Sequence, residues 1–268
     1  MWIGEGMTCF LGVFYGDFPR EVAKVYPQDE TITTIEEPVV GPIRSGRLPY
    51  EYIRQLFSGY LVMASASQTV AEQLNDYTNV FGSDLSDPNS AMMKITQLEA
   101  LAQSSQKELG TAALSGMYFN SAAPKGGKTA HSLWLFYLYL NQIFWRYDET
   151  SGTFQRWQDN ADASTFIQAT DRLTGEPLGA DNVIILFADH EVERENLIDI
   201  SLLYVKRGKA LLFWDGQKYE IYWTTASEEY EKTTGKLRPI RFIDAEGNPF
   251  PLKPGQTWIK IIPLFTPY

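Results

Sequence analysis

The spacing of apolar positions changes near the middle of the chain. Helical periodicity mixed with short strand-like runs gives way to strand-like runs alone. Residues 7–15 (MTCFLGVFY) are continuously apolar and strand-forming, which predicts a buried strand. Residues 16–40 are rich in Pro, Asp, Glu and Thr and read as loop with one short edge strand. From Pro49 onward Ile53, Leu56, Phe57, Tyr60 and Leu61 recur at three- and four-residue spacing, the apolar face of a helix. A second helix is expected from Asp87 and Pro88, a capping residue followed by a first-turn proline. Met93, Leu98 and Leu101 fall on its apolar side, and Gly110 is its expected stop.

The small, polar stretch 120–130 (NSAAPKGGKTA) reads as a flexible linker. It sets an expected boundary between an N-terminal unit, 1–125, and a C-terminal unit, 126–268. Beyond it nearly everything reads as strand. Residues 132–140 form one candidate, and 143–148 and 153–158 flank a four-residue turn ending at Gly152. Residues 182–188 (NVIILFA) read as a buried strand. Strands are further expected at 200–205 and 209–214 around Gly208, and at 218–224 after the Asp215-Gly216 turn. Residues 240–243 and 250–252 form another hairpin, and 258–262 close the pattern. The fold class is therefore α+β: a helix-bearing N-terminal subdomain packed with a mostly antiparallel β C-terminal subdomain.

Composition narrows the partners. A formal net charge of −10 with no stripe of Lys and Arg opposes nucleic acid. The most apolar stretch, 133–145, is broken by Asn141 and Gln142 and is short of the ~20 residues that span a bilayer, so no transmembrane segment is expected. Residues 1–5 lack the basic and apolar regions of a signal peptide, so none is expected there. A single cysteine, Cys9, rules out an intrachain disulfide, and its apolar setting favours packing over nucleophilic chemistry. Aromatic residues reach 14%, a supply of half-wet faces suited to stacking sugars or neighbouring strands.

The most specific local feature is Gly41-Pro42-Ile43-Arg44-Ser45-Gly46-Arg47. Two arginines and a serine in a glycine-bearing loop before a helix assemble donors for a carboxylate or phosphate, which makes Arg44, Ser45 and Arg47 the candidate ligand-binding residues. The competing reading pairs both arginines with the protein's own carboxylates. Residues 122–129 (AAPKGGKT) approach a phosphate-binding loop but lack its opening glycine, and a strand-like run follows where a helix is needed. Of the two histidines, His131 and His190, the latter sits in Asp189-His190-Glu191, where neighbours on a strand point to opposite faces, so it reads as structural. With 33 acidic residues no catalytic pair can be singled out, and no catalytic residue, metal or cofactor is assigned.

Two separated stretches resemble the YerB-like lipoprotein family, a bacterial domain-of-unknown-function family. Residues 4–10 (GEGMTCF) and 41–47 (GPIRSGR) are similar to its N-terminal signatures. Residues 180–184 (ADNVI), 241–249 (RFIDAEGNP) and 254–258 (PGQTW) are similar to its C-terminal domain. Cys9 stands where the family motif usually has Arg. The family pattern usually includes a segment ahead of this point, behind a lipoprotein or secretion signal. The resemblance implies an extracytoplasmic or cell-surface location and brings no established activity. The leading expectation is a non-enzymatic, envelope-associated protein holding an anionic or glycan ligand in a cleft between the two halves. The alternatives are a hydrolase or transferase acting on envelope glycan or phosphodiester, and a structural interaction module.

Overall fold

The strand Asn182–Ala188 is buried at every residue. It pairs antiparallel with Gly208–Trp214 on one side and parallel with Thr257–Pro263 on the other. Both of its faces are also covered, so an uninterrupted apolar run is what the position demands. The computed structural model describes residues 2–5, 9–12, 22–25, 33–36, 39–74, 79–80, 92–109, 116–138, 141–162, 164–171, 174–194 and 197–264.

Two sheets make the framework, and strands dominate over helices among the described residues. The larger sheet has eight strands, ordered Lys128–Thr129, Gln217–Thr224, Gly208–Trp214, Asn182–Ala188, Thr257–Pro263, Trp2–Glu5 and Cys9–Gly12. The remaining strand, Arg241–Ile243, also pairs with Gln217–Thr224. Trp2–Glu5 joins Thr257–Pro263 in parallel, so segments from both ends of the chain share one sheet. The smaller sheet has five strands and is antiparallel throughout. Asn141–Asp148 lies between Ser132–Leu138 and Thr153–Asp159, and the latter carries Phe166–Gln168 and Gly179–Ala180.

The two sheets pack face to face. Leu133, Leu135, Ile143, Trp145 and Phe154 of the smaller meet Val183, Ile185, Phe213, Trp258 and Ile262 of the larger. On the opposite side of the larger sheet, Ile184, Leu212, Trp214, Trp223 and Ile259 receive Ile53, Leu56 and Phe57 of the helix Leu48–Phe57. That helix stops at Ser58, whose left-handed backbone (φ 48°) lets its N–H reach the Gln55 carbonyl at 3.1 Å. Tyr60 and Leu61, read from sequence as part of its apolar face, lie beyond its end, yet Leu61 stays buried against Tyr50 and Met63.

Several expectations need correction. Residues 16–40 hold paired strands, Val22–Val25 with Thr33–Glu36, and then Val39–Val40, in place of one edge strand. Met93 belongs to the short strand Met93–Lys94, and the second helix is Ile95–Leu109, with Gln97 Oε1 accepting from the Lys94 N–H at 3.1 Å. Asp87, Pro88 and Gly110 lie outside the described residues, as do 7, 8 and 13–15 of the first predicted strand. The expected strand at 200–205 is absent. Ile200 instead ends a hairpin of His190–Arg194 and Leu197–Ile200, and the following segment is held by side chains: Thr225 Oγ1 donates to the Leu202 carbonyl at 2.7 Å and accepts from Val205 N–H at 3.0 Å. A helix, Glu228–Thr234, interrupts the strand succession and is closed by Gly235 at φ 68°. Pro251–Leu252 pairs in parallel with Tyr118–Phe119. The linker-like stretch 120–130 ends in the edge strand Lys128–Thr129, which pairs with Gln217–Thr224.

Candidate functional site

The loop at 41–47 is fixed by its backbone. Gly46 N–H donates to the Ser65 carbonyl at 2.8 Å, and the Arg44 carbonyl accepts from Ala64 N–H at 3.1 Å. A side chain at Gly46 would meet the thioether end of Met63, which would have to move aside. With the main chain held inward, Arg44 and Arg47 are both left exposed. Arg47 Nη1 donates to Ser45 Oγ at 2.9 Å, to the Gly46 carbonyl at 3.1 Å and to the Ser45 carbonyl at 3.3 Å. Ser45 therefore orients one arm of the Arg47 fork, and neither Arg44 nor Arg47 has a carboxylate partner among the described residues.

A different arginine forms the internal ion pair. Arg54, in the last turn of the helix, donates from Nε to both oxygens of Glu51 at 2.9 Å and from Nη2 to Oε1 at 2.7 Å, and both side chains are buried. Gln55 adds a 3.2 Å contact to the same carboxylate. The internal clamp, the alternative role for Arg44 and Arg47, is thus filled by Arg54.

The other sequence candidates have structural settings. Lys128 forms an exposed 3.2 Å ion pair with Glu220 and sits on a sheet edge, so residues 122–129 make no phosphate cradle. His190 Nδ1 lies 3.0 Å from the Ala188 carbonyl, and burial pushes its imidazole below the ordinary range. Among the described residues no three His, Cys, Asp or Glu side chains converge as a metal site. No helix among them is long and apolar enough to cross a membrane.

A cleft of about 410 Å³, which no local motif announces, opens at one end of the smaller sheet, lined by His131, Arg146, Tyr147, Asp148, Gln155 and Trp157 among others. This lies in the C-terminal half and not between the halves. Beneath it, Lys253 Nζ donates to the Gly152 carbonyl at 2.8 Å and to Asp215 Oδ1 at 2.8 Å, with Asp181 Oδ1 at 3.6 Å. That ammonium ties the hairpin turn of one sheet to the hairpin turn of the other. Burial pulls the Lys253 ammonium down, but the Asp215 and Asp181 carboxylates outweigh it and the net direction is up. Tyr147 is raised, first by burial and then by the Asp215 charge. The cleft was not legible from sequence because its residues come together only once the strand register is known.

Residues 135–259 match the family described as protein of unknown function (DUF3048), C-terminal domain. Across 97% of this chain and 73% of the relative, the sequence is 24% identical to "Putative lipoprotein YerB" of Bacillus subtilis (strain 168). Residues 135–259 thus carry the DUF3048 C-terminal domain, and the chain is similar to YerB along most of its length. The fold agrees: the crystal structure of YerB protein from Bacillus subtilis matches with a TM-score of 0.63 at 22% identity, covering 86% of this chain and 78% of that one. The family expected from the GPIRSGR and C-terminal motifs is thus borne out, and what it supplies is a fold and a kinship without an established activity.

Proposed function

We propose that this chain is an envelope-associated, non-enzymatic binding protein that holds an anionic ligand at Arg44, Ser45 and Arg47. One observation carries the reading, the division of work among the arginines. Arg54 has a buried carboxylate, whereas Arg44 and Arg47 are exposed and without one among the described residues. Two exposed guanidinium groups, one held by a serine hydroxyl at the start of a helix whose first-turn N–H groups carry partial positive charge, suit a phosphate or carboxylate. In a protein of net charge −10 such a spot gives local attraction against an unfavourable overall field, so binding weakens with salt. Envelope association is drawn from the relative named as a lipoprotein.

The test is calorimetric titration with inorganic phosphate and with tripolyphosphate at low salt. The wild-type protein is expected to bind the polyanion, and Arg44→Ala/Arg47→Ala to lose that binding while its thermal unfolding is unchanged, since both side chains are exposed. Equal binding by the double variant would refute the assignment.

A further inference from the structure

The solvent face of the five-stranded sheet carries an aromatic row. Because side chains alternate along a strand, burying Leu133, Leu135, Ile143, Trp145 and Phe154 turns their neighbours outward. Trp134 stands opposite Phe144, and Phe144 opposite Trp157, on three successive strands. Strands are spaced about 4.8 Å apart, so the three rings cover roughly 10 Å. Trp134 is 55% exposed and Phe136, on the same face, 41%. Indole and phenyl surface of this size is seldom left bare on one face without a partner.

A polar row runs beside the aromatic one and is held rigid by its own hydrogen bonds. Gln168 Nε2 donates to Gln155 Oε1 at 2.8 Å, and Gln155 Nε2 to Asp148 Oδ2 at 3.2 Å. Asp148 also accepts from Ser151 N–H at 3.1 Å. Trp134 Nε1 donates to Gln142 Oε1 at 3.1 Å, which sets the plane of the most exposed ring. Both rows run into the cleft of about 410 Å³, whose lining includes Arg146, Asp148, Glu149, Gln155 and Trp157. The Trp157 indole N–H is buried there and has no acceptor among the described residues. That volume lies within the roughly 300–1,000 Å³ usual for small-molecule sites.

We propose that this face, from Trp134 across Phe144 and Trp157 into the cleft, is a binding site for an uncharged oligosaccharide. A sugar ring offers an apolar C–H face that lies on an aromatic ring and a rim of hydroxyls that both donate and accept. The face offers flat rings flanked by amide and carboxylate groups already fixed in place by hydrogen bonds, with the Arg146 guanidinium at the cleft, which lowers the ordering cost of binding. Charge excludes the polyanions that also stack on aromatic rows. Arg146 is outnumbered by Asp148 and Glu149 at the cleft, and the whole chain carries −10. This site is separate from the Arg44 loop and stands whether or not that loop binds an anion.

The test is titration of the full chain with soluble oligomers of glucose and of N-acetylglucosamine, followed by calorimetry and tryptophan fluorescence. Wild-type protein is expected to bind at least one of them. Trp134→Ala and Trp157→Ala should each weaken it by about tenfold or more, with circular dichroism unchanged. Arg44→Ala/Arg47→Ala should bind as wild type, which separates this site from the loop. Absence of binding to both oligomers overturns the proposal, as does binding that survives both tryptophan variants. Dimerisation that Trp134→Ala abolishes, with no oligosaccharide bound, would assign the face to a second copy of the chain and likewise overturn it.

Discussion

Replacing Lys260 by Met should stabilise the protein near neutral pH and remove a pH dependence that the wild type shows. Lys260 lies on Thr257–Pro263 with only 1% of its surface exposed. Its strand neighbours in register are Gly4 and Ile185. Arg156, also buried, adds a like charge from the facing sheet. Burial first, and the Arg156 charge second, lower the ammonium from the ordinary 10.5 to about 7. At about 1.4 kcal/mol per tenfold change, that displacement corresponds to roughly 5 kcal/mol of folding free energy as an upper limit. Below about pH 7 the folded and unfolded chains are both protonated and the full cost applies. Between about pH 7 and 10.5 the unfolded chain keeps the proton that the folded chain releases, so stability climbs as pH rises. From pH 7 to pH 9 the gain should be up to about 3 kcal/mol. Methionine fills similar space without charge, so Lys260→Met should gain about 2–4 kcal/mol near pH 7 and lose this slope. Urea unfolding followed by tryptophan fluorescence at several pH values measures both. Parallel pH profiles for the two proteins, with the variant no more stable at pH 7, would refute the reasoning.

Substitutions at two further places probe the packing. Arg54→Ala removes the guanidinium from the buried Glu51 carboxylate and should cost about 3–5 kcal/mol, whereas Glu51→Leu/Arg54→Met should unfold within about 1 kcal/mol of wild type, both read from urea midpoints. Gly208→Ala would drive a methyl into the Trp223 indole, which donates to the Phe187 carbonyl at 3.0 Å, and should cost about 1–3 kcal/mol with a shifted near-ultraviolet dichroism band.

Much of the C-terminal fold can be read from local chemistry. The Asp215-Gly216 turn has φ of 48° and 68°, the paired left-handed conformations that an Asp-Gly hairpin turn calls for. Residues 182–188 announce a strand covered on both faces, and they are one. What escaped were features set by distant partners. The parallel pairing of Thr257–Pro263 with Asn182–Ala188 and Trp2–Glu5 joins segments far apart in sequence, and no turn residue signals it. Residues 200–205 have strand composition, but Thr224 and Thr225 capture their carbonyls with side chains and a loop results. The helix Glu228–Thr234 has no buried residue, so it left no apolar periodicity to find. The loop with Arg44, Ser45 and Arg47 was legible because its residues are contiguous. The aromatic row was not, because Trp134, Phe144 and Trp157 become neighbours only through strand register.

The central claim is that the Arg44–Arg47 loop is an open anion site and not an internal clamp. A crystal structure of the protein soaked in sulfate tests it most directly. The account predicts tetrahedral density within hydrogen-bond reach of the Arg44 and Arg47 guanidinium groups, with Ser45 Oγ still holding Arg47. A soaked crystal with that loop free of lattice contacts, no anion there and both arginines turned onto the protein's own carboxylates would contradict it.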